Sequence, residues 1–385
     1  MPSDAESEIK MLQRICRELQ APNLIEILEK TPMRLLQPIL MHAWKKRVTN
    51  KKTTDLLAEY ESKLEFYGVS SIPQKQLIDF VQICHDSIPA NFDIVQTSPI
   101  TPVGLNSLLS KISQNNTLPT IRKSEVVSDI TTQLALECAY RRKKSHSGET
   151  VNLCSSGRVL RLQPFDKNKG YMQHFNLFAL CSGGTNSVKK GGFAVPWIQS
   201  HISILLDILK SLQNKGYTFK NISVNISDMK FLEQLIYALN IPRKEILLHS
   251  LDDDFSFFQK YEVTFPSEIS DTSMLSSHNF EQCGLSDKTK YFARLEKGII
   301  LPLQLKYPRV RFCFDFTRKS GLGYYPHLCF HIFATDQTNR IVQLADGGAV
   351  DWLEKLLRSE KGTMVTSGIG SELIQKLFSP KNKLD

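Results

Sequence analysis

Residues 157–175 read Gly157-Arg158-Val159-Leu160-Arg161-Leu162-Gln163, then a polar turn with Asp166, Lys167, Lys169 and Gly170, then Tyr171-Met172-Gln173-His174-Phe175. Two β-type arms around a flexible, charged turn predict a hairpin. Its first arm carries arginine and its return arm an aromatic ring. An arginine fixed on a strand grips phosphate through parallel N–H bonds, and a ring on the facing strand offers a surface for stacking. A surface hairpin with an ordinary ion pair explains the same residues, so its neighbours must decide.

Upstream, Ser128-Asp129-Ile130-Thr131-Thr132-Gln133-Leu134-Ala135 opens an apolar helix with a carboxylate and a hydroxyl two residues apart, which as local structure is an N-cap. Downstream, Lys319-Ser320-Gly321-Leu322-Gly323-Tyr324-Tyr325 links two strand candidates, Val310 to Phe316 and Leu328 to Phe333. Its glycines suit a tight loop and its paired tyrosines the wall of a pocket. Asp346-Gly347-Gly348-Ala349-Val350-Asp351 follows. After a helix, Thr366-Ser367-Gly368-Ile369-Gly370-Ser371-Glu372-Leu373 runs as a glycine-rich strand into another helix. Such glycines serve close packing or close approach to a ligand.

Between these stretches, Ile202, Leu205, Leu206, Leu209 and Leu212 form one helical stripe, and Phe231, Leu232, Leu235, Ile236 and Leu239 another, with an alternating strand from Thr218 to Ile226 between them. Residues 5 to about 75 read as helices that Pro22, Pro32 and Pro38 divide. The chain thus divides into a helical region, 1–58, and a core, 59–385, with an Asp- and Ser-rich insertion at about 245–295. The expected fold class is α+β: a mixed, mostly antiparallel sheet flanked by helices, preceded by an α-helical N-terminal region.

The chain has 385 residues, 41% apolar and 23% charged, enough for a real core. A net charge of +9 permits an acidic partner without demanding one. No apolar run approaches the ~18 residues of a membrane span. The acidic start MPSDAESEIK resembles neither a secretory signal nor an Arg-rich transit peptide. The eight cysteines show no CxxC spacing and sit mostly among apolar neighbours, so reduced, buried thiols and no metal site are expected. These readings predict a cytoplasmic protein without membrane attachment.

In this order and spacing the stretches resemble the catalytic core of a class II aminoacyl-tRNA synthetase of histidyl type. Asp129-Ile130-Thr131, with Gln133 and Ala135, is similar to the element whose carboxylate grips the amino group of the amino acid. Val159 to Phe175 is similar to motif 2, which implies Arg161 on the ATP α-phosphate, Phe175 on adenine and Gln163 beside them. Ser320 to Tyr325 and Gly347 to Asp351 resemble the two histidine signatures, and Gly368 to Leu373 resembles motif 3. The resemblance spans about residues 60 to 378. It implies a ligand pocket of Asp129, Thr131, Leu177, Cys181, Tyr324 and Tyr325, and a homodimer through a motif 1 candidate at Phe66-Tyr67-Gly68-Val69 with Ile72-Pro73.

The departures bear on activity. Ser320 stands where the first signature opens with arginine, and Gly323 where it has aspartate. Ala349-Val350 replaces Arg-Tyr. Leu177 and Cys181 replace the polar contacts to imidazole, Leu373 replaces the arginine that clamps the γ-phosphate, and Gln163 replaces a glutamate. Each lost transition-state donor costs about 3 kcal/mol, and nothing in the sequence places a substitute such as Arg318, Lys319 or Lys376. The expected function is a catalytically degenerate paralogue that binds or regulates, with a protein partner or small-molecule ligand. The shortened relatives without an anticodon-binding domain, such as the regulatory subunit of ATP phosphoribosyltransferase, act in that way. The alternatives are an ATP-dependent ligase passing an aminoacyl-adenylate to a non-tRNA acceptor, and RNA binding through Arg141-Arg142-Lys143-Lys144, Lys189-Lys190 and the patch Trp44-Lys45-Lys46-Arg47 with Lys51-Lys52. No cofactor follows from the residues themselves; the resemblance admits ATP with Mg.

Overall fold

Among the described residues eleven strands carry the architecture: β1 (Asp93–Ile94), β2 (Ile100–Pro102), β3 (Ser124–Val126), β4 (Val151–Leu160), β5 (His174–Thr185), β6 (Lys220–Asp228), β7 (Glu268–Ile269), β8 (Arg311–Asp315), β9 (Leu328–Thr335), β10 (Ile341–Val350) and β11 (Gly362–Gly370). The computed structural model describes residues 4–145, 149–163, 172–185, 192–250, 252 and 254–380. Nine strands form one sheet in the order β1-β4-β5-β11-β10-β9-β6-β8-β7, and β2 pairs with β3 separately. Only the β1–β4 and β6–β8 pairs are parallel, so the sheet is mostly antiparallel as its short hairpin connections require. The class is α+β.

The central strands are covered on both faces, which is why β5 reads as a nearly continuous apolar run rather than an alternating one. On one face lies the Ile130–Lys144 helix. It packs so closely that a Cβ added at Gly183 would stand 2.4 Å from Cys138 Sγ. On the other lies the Ala194–Asn214 helix. Its buried His201 reaches both Ser182 (3.0 Å) on β5 and Ser367 (2.9 Å) on β11. The Gln74–Asp86 helix packs beside it, His85 facing Phe178.

Parallel β6 and β8 need a long crossover, and residues 229–310 supply it. That crossover contains the 245–295 stretch and returns through β7 to the sheet edge. Phe231, Phe265, Phe280 and Phe292 lock it against Phe316 with ring centroids 5.0–6.4 Å apart.

The N-terminal helices Asp4–Glu18, Leu24–Lys30, Met33–Thr49 and Thr53–Ser62 bury only Cys16 and Leu36 among their described side chains. Pro38 does not divide them: it lies inside the 33–49 helix. As the sixth residue of that helix it lacks the N–H that would bond the Arg34 carbonyl, and the helical turns continue on either side. All eight cysteines are free and buried. No helix is long and apolar enough to cross a membrane among the described residues.

Candidate functional site

A cleft of about 310 Å³ opens where the 130–144 helix begins over β5, β10 and β11. Asp129 caps that helix: its Oδ1 accepts from the Thr131 N–H (2.8 Å) and from the Thr131 hydroxyl (2.7 Å). The capping geometry and the cleft position are one feature, because the cap presents Asp129 and Thr131 at the mouth. Arg161, just past β4, donates from Nε to the Ser128 carbonyl (2.9 Å), and its Nη2 lies 3.6 Å from Asp129 Oδ2. Its guanidinium also stands 5.2 Å from the centre of the Phe175 ring, across the β4–β5 hairpin.

Alternation along β5 places Leu177 and Ala179 in the floor. Cys181 is on the same face but two residues further in. It is fully buried beneath the 130–144 helix against Cys138, burial pushing its thiol well above the usual range, and it is not part of the cleft lining. Gln163 lies at the last described position of the hairpin arm, outside the lining. Tyr324 and Tyr325 form the opposite wall. Burial pushes both phenols well up, helped by Asp129 and Asp346 for Tyr324 and by Asp346 for Tyr325. Gly321 and Gly323, at φ +91° and +83°, make the turn that delivers them.

The sequence reading left Asp346 without a role, yet it lines the cleft and organises one side of it. Its Oδ1 accepts from Arg318 Nη2 (2.9 Å), and Arg318 Nε donates to the Ser320 carbonyl (2.8 Å). The Arg318 guanidinium lies 5.4 Å from the Tyr325 ring centre with a side chain only 2% exposed. An aspartate directly after the apolar Leu344 and Ala345 in a strand is the signal that was available, and the buried Arg318 is the group that needs its charge. His331 stands behind this pair, its pKa lowered to about 3 by burial and by the Arg318 charge.

Leu373 lines the cleft at the position where the motif 3 resemblance expects arginine. Its neighbour Glu372 turns to the other side and accepts from Arg158 Nη2 (2.7 Å), the Asn176 N–H (3.1 Å) and the Ser70 hydroxyl (2.9 Å). Arg158 also donates to His174 Nδ1 (2.7 Å), whose Nε2 donates to the Gly68 carbonyl (2.8 Å). The first hairpin arginine therefore anchors the 68–70 segment, and only Arg161 enters the cleft. Around that segment Val69 is exposed and Ile72 is buried.

The glycines divide by role. A Cβ at Gly347 would meet Ser367 at 2.5 Å and Phe330 at 2.6 Å, so it serves strand packing; Gly348 is equally tight against Cys329. Gly368 and Gly370 line the cleft and have room for a Cβ. In the basic cluster, Arg141 is held by Glu137 (2.8 Å) and Asp93 (2.5 Å), Arg142 reaches Thr185 (2.6 Å), and Lys144 covers the Tyr140 ring. Lys189 and Lys190 lie outside the described residues.

No protein-family model matches the chain, and no curated protein does. Solved structures do. A Bacillus halodurans protein described as an ATP phosphoribosyltransferase regulatory subunit/histidyl-tRNA synthetase superposes with a TM-score of 0.56 at 14% identity, covering 81% of this chain and 82% of its own. A histidine–tRNA ligase subunit from Alicyclobacillus acidocaldarius gives 0.55 at 14% identity, over 78% of this chain and 91% of that one. Histidyl-tRNA synthetase from Nostoc gives 0.53 at 16% identity, over 79% and 70%. At such identities the likeness is one of fold. The chain has the fold of a histidyl-type class II aminoacyl-tRNA synthetase core.

Proposed function

We propose that this chain is a non-catalytic, histidyl-synthetase-like binding protein that receives a small ligand in the cleft and acts through a protein partner. The observation that carries the reading is the charge of the described lining, where one guanidinium, Arg161, faces two carboxylates, Asp129 and Asp346. Arg161 is already engaged by Ser128 and Asp129, and Arg318 behind the wall is engaged by Asp346. A transferring phosphate needs cations that are free to follow its developing charge. Those arginines are committed, and the rest of the described lining adds no cation: Leu177, Ala179, Leu344, Ala345 and Leu373 are apolar, and Thr131, Gln343, Thr366, Ser367 and the two tyrosines are neutral. The described residues do not fit ATP with Mg.

What the cleft offers instead suits a compact ligand with an amino group. Asp129 and Asp346 accept hydrogen bonds, Thr131 and Tyr324 fix the mouth, and the floor takes an apolar body. At about 310 Å³ it lies at the small end of ligand sites, which run to about 1,000 Å³. The regulatory description of the Bacillus halodurans neighbour supports a partner-dependent role, and the motif 1 resemblance of the 66–73 segment adds a homodimer to the same proposal. Pyrophosphate release with ATP and each amino acid tests it: the expected result is no turnover above background, and amino-acid-dependent release overturns the proposal.

The second reading, an adenylate-forming ligase with a non-tRNA acceptor, draws on the joint placement of Asp129, Thr131, Arg161 and Phe175 around one hairpin. It requires that any turnover fall by about a hundredfold or more in Arg161→Ala, as loss of a phosphate-binding donor does.

A further inference from the structure

The 317–325 loop separates the cleft from a second cavity. Arg318 turns towards Asp346 and the cleft wall, whereas Thr317 and Lys319 face a space of about 570 Å³ bounded by Phe255, Phe257, Phe258 and Phe265. The two are built from different residues, and no residue lines both. Four phenylalanines and Val263 share the lining with Ser256, Gln259, Ser267, Thr317 and Lys319, a mix of apolar and polar groups that suits an amphipathic ligand, and the volume falls within the range of about 300–1,000 Å³ for ligand sites.

The polar side is specific. Lys319 is the only charged residue in the described lining. Its ammonium donates to the backbone carbonyls of Asp252 and Phe255 and lies 5.3 Å from the Phe255 ring centre. Two of its three N–H donors are thus spent on fixing its position, and among the described residues the third has no hydrogen-bond partner and is open to a ligand. The Asp252 carboxylate is hydrogen-bonded to His249 Nδ1 at 3.1 Å and meets the Lys319 ammonium only through its longer-range charge. His249 in turn stacks on Phe255, 4.3 Å between centroids and 22° between planes, which holds that ring in place. The Ser267 hydroxyl stands in the same lining as a further donor, whereas the Thr317 hydroxyl is already given to Asp315 Oδ1 (2.8 Å).

We propose that this cavity is a binding site for a planar aromatic carboxylate, its ring system between the phenylalanines and its carboxylate on Lys319. The site takes an anion because its one fixed charge is positive, and a flat apolar body because its walls are aromatic rings. It does not depend on the reading of the cleft.

The test titrates the full chain with 2-naphthoate and with its neutral isostere 2-naphthamide, following naphthyl fluorescence. Saturable binding with a preference of about tenfold for the acid is expected, as a charge-assisted hydrogen bond gives. Lys319→Met should abolish the preference, and Ser267→Phe, which fills the cavity, should weaken both ligands. Leu373→Trp, which fills the cleft, should change neither. Absence of saturable binding, equal affinity for acid and amide, or a preference that survives Lys319→Met overturns the proposal. So does loss of binding in Leu373→Trp with Ser267→Phe unaffected. Should Ser267→Phe fail to fold, judged by its thermal transition, the Lys319→Met comparison decides alone.

Discussion

Asp346 shows how much one side chain settles in this cleft. It is the acceptor for Arg318, a guanidinium with 2% of its side chain exposed, so the pair stands or falls together. Removing the acceptor leaves a buried cation without its counter-charge, a defect that typically costs 3–5 kcal/mol. Asp346 itself is 39% exposed towards the cleft, and water replaces part of what is lost. Asp346→Asn is therefore expected to lower the unfolding free energy by about 3 kcal/mol, the low end of that range, in urea denaturation. A change below about 0.5 kcal/mol, the scale of a surface substitution, would show that Arg318 finds another partner. Asp129 differs, because it serves the helix cap and the ligand mouth together. Asp129→Asn keeps a capping side chain, since asparagine caps as well as aspartate. It should leave the melting temperature nearly unchanged while weakening any amine bound in the cleft.

At the scale of elements, strands and helices were legible because their periodicities are strong. The Ala194–Asn214 stripe, β6, β8, β9 and the strand-to-helix passage at 362–378 all fall where alternation or helical spacing puts them. The Asp129 cap was readable as local chemistry, and its cleft position came only from the family's order of motifs. Three things were hidden. Pro38 inside its helix could not be foreseen from proline content, because proline marks a break or a tolerated interior position alike and only the continuing turns of the 33–49 helix tell them apart. Cys181 followed the alternation correctly, yet the overlying 130–144 helix decides where cleft ends and core begins. The split between Arg158 and Arg161 needed the third dimension, since Glu372 is more than 200 residues away. The glycines of β10 and β11 look alike in sequence and act oppositely. Gly347→Ala drives a Cβ to 2.5 Å from Ser367 and should cost about 1–3 kcal/mol of stability by overpacking. Gly368→Ala finds its nearest neighbour, the Phe178 carbonyl oxygen, at 3.6 Å and should spare stability while narrowing the cleft. Paired denaturation curves test the contrast, and equal losses would refute it.

Across the whole molecule, one sheet is closed by helices on both faces, and the closure carries a pH signature. His201 joins the 194–214 helix to β5 and β11, and His331 stands behind the Arg318–Asp346 pair. Burial lowers both to about 3, with the Arg318 charge adding to it at His331, so both rings are neutral in the folded chain across the ordinary pH range. Unfolded, each returns to about 6.5. Above that value neither state binds the proton and stability does not depend on these groups. As pH falls through about 6.5 the unfolded chain takes up protons that the folded chain refuses, and stability drops by up to about 1.4 kcal/mol per pH unit for each histidine. The loss continues until pH reaches about 3, where the folded rings protonate too. His201→Gln keeps a side chain able to bond Ser182 or Ser367 and removes one titrating group, so its stability should fall less steeply with acid than that of the parent chain. Urea denaturation from pH 7.5 down to 4.5 reads this directly, and curves of equal slope for variant and parent would mean that His201 titrates alike in both states and that the buried bridge between the two layers is not there.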